Sequence, residues 1–171
     1  MTARRLVLLR HAKAQPFGSV PDELRPLQAR GRRQCAALGA RFTVAGLVPE
    51  LVLVSSAVRT RQTWELVAAA LGDTPVPEVE VTDVVYRANV SDLLELVRQV
   101  DDRVRNLLVV GHEPAMSATA AYLAGEGDEA LLARLSLGLS TGSAAVLEAG
   151  LGWSQLQRGT AVLRDLVSPE S

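Results

Sequence analysis

Only two of the 171 residues are histidines, and each directly follows an apolar run: His11 in LVLLRHAK and His112 in NLLVVGHEP. Arg10 precedes the first. A third apolar run, ELVLVSS, ends at Ser55 and Ser56, with Arg59 a few residues on. Two guanidiniums and two imidazoles make a donor set suited to a phosphate dianion. Arginine forks match phosphate geometry, and each charge-assisted bond contributes about 1.5–3 kcal/mol. Helices beginning near Arg59 and Pro114 would add N–H groups and positive dipole ends. An imidazole inside such a cage can attack phosphorus and carry the phosphoryl group. Nearby arginines disfavour imidazolium, so His11 stays neutral and nucleophilic, and they also stabilise charge on the equatorial oxygens. No metal is expected, because the arginines repel a divalent cation and no third ligand has suitable spacing. A non-catalytic phosphate-binding module would use the same residues and stays open at this point.

These residues cooperate only if a fold gathers them. RLVLLR (5–10) is short and apolar throughout, as in a strand covered on both faces. A loop with Pro16, Gly18, Pro21 and Pro26 leads to a helix over 28–45. There Gly31, Cys35, Leu38 and Phe42 share one face, and Gly46 ends it. A second strand over 50–56 precedes a helix over 59–71 that carries the Trp64, Val67, Ala68 and Leu71 stripe. A short strand near 79–81, a helix over 91–100 capped by Ser91, and a strand over 106–112 follow. Pro114 stands just inside the next helix, which runs to about Leu123. The remainder reads as a short helix over 129–135 and two strands, SAAVLEA and TAVLRDLV. The expected fold class is therefore α/β: a single domain over 1–171 with an open, mostly parallel central sheet flanked by helices on both faces. Ligands of such sheets bind at the carboxyl ends of strands, where both histidines fall.

Composition narrows the function classes. With 48% apolar and 22% charged residues and a net charge of −1, nothing favours nucleic acid or an anionic membrane as partner. No run approaches the roughly 20 apolar residues of a bilayer span. The opening MTARRLVLLRHAK has too short an apolar stretch for a signal peptide, and Cys35 is the only cysteine. A cytoplasmic monomer is the expectation. Cys35 reads as packing, Trp64 and Trp153 as core or rim, and Lys13 as solvated.

LVLLRHAKA, SSAVRTRQT and LLVVGHEP resemble, in order and spacing, three signatures of the histidine phosphatase (phosphoglycerate mutase-like) superfamily, over about 6–166. The chain is most similar to the short SixA-type branch of phosphohistidine phosphatases. RHAKA, DELRPLQARG, GHEP, the late LSTGSAAVLE with Trp153, and the compact length point there. The resemblance implies a phosphoglycerate mutase-like fold and a catalytic set of His11 as nucleophile with Arg10, Arg59 and His112. Counting back four from Thr63 makes Arg59, rather than Arg61, the pocket arginine. Arg25 is a candidate substrate contact, with a loop salt bridge as its other reading. Ser55 and Thr63 are expected to hold the strand–helix junction and orient Arg59. The resemblance implies no cofactor and a phosphorylated protein or small phosphorylated molecule as substrate.

Phosphomonoesterases of the superfamily use a carboxylic acid after the third strand to protonate the leaving oxygen, whereas this chain reads VVYRANVSD there. Glu113 and Asp92 are the candidate acids. Glu113 is also a candidate substrate contact, or the cap of the helix at Pro114. An alkoxide needs a positioned proton donor, but a phosphoramidate nitrogen can be protonated before it departs. The expected function is thus a metal-independent phosphatase acting through phosphohistidine on phosphohistidine or related phosphoramidates. The alternatives are a phosphomonoesterase for nucleotide or sugar phosphates, and the binding module.

Overall fold

The first strand, β1 (Arg4–Arg10), lies in the middle of the molecule. Its Leu6, Val7, Leu8 and Leu9 are all buried, alternately on opposite faces, which is why its apolar run is unbroken. The computed structural model describes residues 3–18 and 20–170. After β1 come α1 (Ala29–Ala45), β2 (Leu51–Ser55), α2 (Val58–Ala70), β3 (Glu78–Thr82), α3 (Asp83–Arg87) and α4 (Val90–Arg98). Then follow β4 (Asn106–Gly111), α5 (Ala115–Leu123), β5 (Ala124–Gly127), α6 (Glu129–Ser136), β6 (Ala144–Ala149) and β7 (Ala161–Val167). Short 3₁₀ turns form at Asp22–Leu24 and Trp153–Gln155.

The strands build one seven-stranded sheet in the order β3-β2-β4-β1-β6-β7-β5. The β3-β2-β4-β1 half is parallel; β6 runs against both its neighbours. Residues of α1 and α2 (Cys35, Leu38, Phe42, Trp64, Val67) pack on one face with Val7 and Leu9. Residues of α4, α5 and α6 (Leu93, Val97, Met116, Leu123, Leu135) pack on the other with Leu6 and Leu8. Trp153 is fully buried in this second layer, its indole N–H donating to the carbonyl of Val104 at 2.9 Å.

Helix α3 is an addition and Pro114 is the N-cap of α5 rather than its first residue; two further expectations differ in detail. Helix α4 is capped by Asn89, not Ser91. The Asn89 side chain accepts from the Asp92 N–H (2.9 Å) and Asp92 accepts from the Asn89 N–H (3.1 Å), a reciprocal box. Strand β5 is an addition: Ala-Gly-Glu-Gly has neither apolar alternation nor β-branched residues, and it pairs in parallel with β7. Among the described residues no helix is long and apolar enough to cross a membrane.

Register places the site. In the β1–β4 pairing Arg10 lies opposite Gly111, so His11 and His112 leave adjacent strand ends together. Their ring centroids are 5.4 Å apart. The β2–β4 pairing ends at Val54 and Val110, which sets Ser55 beside them.

Candidate active site

His11 is 9% exposed and fixed by its backbone surroundings. Its own N–H donates to Gly111 O (3.1 Å), and the next N–H, of Ala12, donates to Thr63 Oγ1 (3.0 Å). Imidazole Nδ1 lies 2.8 Å from the carbonyl of Ala12. A carbonyl can only accept, so Nδ1 carries the proton and Nε2 keeps its lone pair. Burial lowers the His11 pKa to about 4; the Ala12 carbonyl opposes this, and the charges of Arg59, Arg10 and Arg25 reinforce it.

His112 has the opposite tautomer. An Arg59 Nη2–H donates to its Nδ1 at 3.2 Å, and its Nε2–H donates to Ser55 Oγ at 2.7 Å. Burial first, then the Arg59 and His11 charges, lower its pKa to about 3. Ser55 thus orients His112 rather than Arg59. Thr63 reaches both sides: its hydroxyl donates to Arg59 O at 2.7 Å while accepting from Ala12.

Arg10, His11, Arg25, Arg59, His112 and Glu113 all line one cavity of about 510 Å³, so the structure gathers the six expected site residues. Arg10 Nη1 donates to Leu139 O at 2.9 Å. Arg10 and Arg59 each keep a buried Nε–H with no protein acceptor among the described residues. Arg25 is both things expected of it: a cavity residue and half of a loop salt bridge. Its guanidinium stacks 4.2 Å from the Phe17 ring centroid and donates to Asp22 and to Gln15 O.

Asp22 is the cavity residue that sequence reasoning passed over. Its Oδ1 accepts from Arg25 Nε (3.0 Å) and Nη2 (2.8 Å). Its Oδ2 accepts from Arg59 Nη2 (3.0 Å) and the Tyr86 hydroxyl (2.7 Å), and its carbonyl accepts from Arg59 Nη1 (2.7 Å). Burial alone would raise the Asp22 pKa. The hydrogen bonds from Tyr86, Arg25 and Arg59 outweigh it and hold the carboxyl well below the usual carboxylate range. Tyr86, from α3 after the third strand, also meets the His112 ring edge-on, with centroids 5.5 Å apart. The only available signal was DELR itself, an acid three residues before Arg25.

The two candidate acids are otherwise engaged. Glu113 Oε1 accepts from Ser117 N (2.7 Å), and its Oε2 accepts from Ser117 Oγ (2.7 Å) and Leu139 N (3.0 Å). It therefore caps α5 and pins the segment whose carbonyl holds Arg10. The α5 N–H groups of Met116 and Ser117 are satisfied by His112 O and Glu113, so they do not serve as anion donors. Asp92 lies in the α4 capping box and does not line the cavity. Exposed Lys13 stands at the cavity wall, and Cys35 is buried packing.

A neutral, backbone-held imidazole facing fixed guanidiniums at parallel strand tips is the arrangement that phosphoryl transfer through a histidine requires. A family model for the histidine phosphatase superfamily (branch 1) matches residues 6–86. An uncharacterised protein of Mycobacterium tuberculosis is 35% identical over 157 residues, covering 91% of this chain and 96% of that protein. Two solved structures, each described as a putative phosphohistidine phosphatase SixA, superpose with TM-scores of 0.81. The one from Nakamurella multipartitia is 31% identical and covers 100% of this chain and 99% of its own. The one from Agrobacterium tumefaciens is 29% identical and covers 99% and 100%. The chain belongs to the histidine phosphatase superfamily, in its SixA-type branch, and has the phosphoglycerate mutase-like fold.

Proposed function

We propose that this phosphatase hydrolyses phosphoramidates, with phosphohistidine as the preferred class, and needs no metal. One observation carries the reading: both carboxylates lining the cavity, Asp22 and Glu113, are committed as acceptors. Their hydrogen bonds turn both towards the protein rather than towards a departing alkoxide.

His11 Nε2 attacks phosphorus in line, and the P–N bond to the substrate imidazole breaks. The electron pair passes to that nitrogen, and a substrate ring already protonated at its other nitrogen leaves as neutral imidazole. Arg10 and Arg59 stabilise the equatorial oxygens and supply the positive charge that a divalent ion would otherwise bring. The phosphoenzyme is itself a phosphohistidine whose ring keeps its proton on Nδ1, against Ala12 O. Water then attacks phosphorus, Nε2 recovers its electron pair, and the water proton passes to phosphate or solvent. Both half-reactions expel an imidazole, so one acid-free site serves both.

Two measurements test this. Hydrolysis of phosphohistidine is compared with that of p-nitrophenyl phosphate, with higher kcat/KM expected for the former; preference for the ester would move the assignment to a phosphomonoesterase. Acid-labile, alkali-stable phosphoryl labelling should appear in the wild type and vanish, with turnover, in His11→Ala. Binding of phosphate without labelling or turnover would reduce the site to a binding module.

A further inference from the structure

We propose that Asp22 sets leaving-group specificity: its negative charge beside the phosphate cage favours substrates whose leaving group is a positively charged ring, protonated at the nitrogen not bonded to phosphorus, and disfavours those that expel an oxygen anion. The inference rests on the phosphatase reading above and deepens it.

Position comes first. Arg59 Nη1 and Nη2 hold the Asp22 carbonyl and carboxylate at 2.7 and 3.0 Å, so any group that Arg59 grips lies beside Asp22. His11 is buried, whereas the Asp22 side chain is 32% exposed and belongs to the 13–28 loop that walls the cavity. In-line attack from the buried nucleophile directs the leaving atom outward, toward that wall.

Charge comes second. Four donors fill the carboxylate's acceptor sites, two from Arg25 and one each from Arg59 and Tyr86. Asp22 is therefore fixed in its ionised form and acts through its field rather than through a new hydrogen bond. A carboxylate facing a phosphate pocket is a poor choice if binding phosphate were the only requirement, since like charges repel. It discriminates if the leaving group brings a positive charge. An imidazolium on the outer side of phosphorus is attracted to it, whereas negative charge growing on an ester oxygen is repelled. That repulsive element is what selectivity between otherwise similar phosphoryl donors requires.

Tyr86 completes the arrangement. It stands in the segment after the third strand and directs a hydroxyl at Asp22 Oδ2. The Asp22 carboxylate raises the phenol's pKa further, which keeps the donor protonated.

The test is the ratio of kcat/KM for phosphoimidazole to kcat/KM for p-nitrophenyl phosphate in wild type, Asp22→Asn and Asp22→Glu. Asp22→Asn should lower the ratio at least tenfold, and Asp22→Glu, which keeps the charge, should stay within about threefold of wild type. An unchanged ratio in Asp22→Asn, with both rates falling together, would show that Asp22 only positions its arginines and would overturn the inference. A loss in Asp22→Glu equal to that in Asp22→Asn would also overturn it. A wild-type preference for the ester contradicts the proposed substrate class instead, and the change on neutralising Asp22 still reads the effect of the charge.

Discussion

The proton on His11 sits at Nδ1 and is held there by a backbone carbonyl, so the reactive lone pair does not depend on a second side chain acting as base. Free-enzyme activity should follow the neutral ring. With the His11 pKa lowered to about 4, kcat/KM is expected to hold through pH 6.5 and fall only as acid approaches that value. The check is a pH profile with a substrate that does not titrate in this range; an acid limb centred near 6.5 would contradict the assignment. Arg59 is the other test at this scale. It is 5% exposed, bonded to Asp22 and His112, and retains a buried Nε–H. Arg59→Ala should lose about 3–4 kcal/mol of transition-state stabilisation, by analogy with lost oxyanion donors. That is a hundredfold or greater fall in kcat, read by steady-state kinetics.

Strand tips were legible because an unbroken apolar run announces a parallel strand and the residue after it must lie at the ligand-binding end. Arg10, His11, Ser55 and His112 all follow that logic. Arg59 was legible from its spacing to Thr63. Asp22 and Tyr86 were not, because their meeting joins elements 64 residues apart in sequence through a loop with no periodicity. Strand β5 escaped for want of any pattern, and the α4 cap was misplaced because Asn89 and Ser91 both suit an N-cap. The loop itself is clamped to α1. Gln28 N–H donates to Lys13 O, the Lys13 N–H to Gln34 Oε1, and Gly31 packs so closely that a Cβ would lie 2.2 Å from Lys13 O. Gly31→Ala should therefore push α1 away from the segment after His11. The expected cost is about 1–3 kcal/mol of stability, from urea denaturation, with a larger proportional loss of kcat than an exposed control substitution gives.

Acid weakens the molecule as a whole. Burial lowers the pKa values of His11 and His112 from 6.5 to about 4 and 3, so between those values the unfolded chain binds protons that the folded one does not. Stability therefore declines as pH falls from about 6.5, and Asp22, ionised in the fold, adds a further loss below the ordinary carboxylate range. His11 alone contributes on the order of 3 kcal/mol of this decline. Urea midpoints between pH 7 and 4, in phosphate-free buffer, should fall less steeply for His11→Ala than for wild type; parallel slopes would exclude the coupling. The central position of β1 has another consequence, one of timing. During synthesis His11 emerges from the ribosome long before its neighbours in space. Its partner strand β4 ends at Gly111, and Ser143, whose carbonyl accepts the Arg10 N–H, comes later still. His11 is made well over a hundred residues before Ser143 closes around it, so nascent chains halted before about residue 143 should carry the histidine yet form no phosphoenzyme.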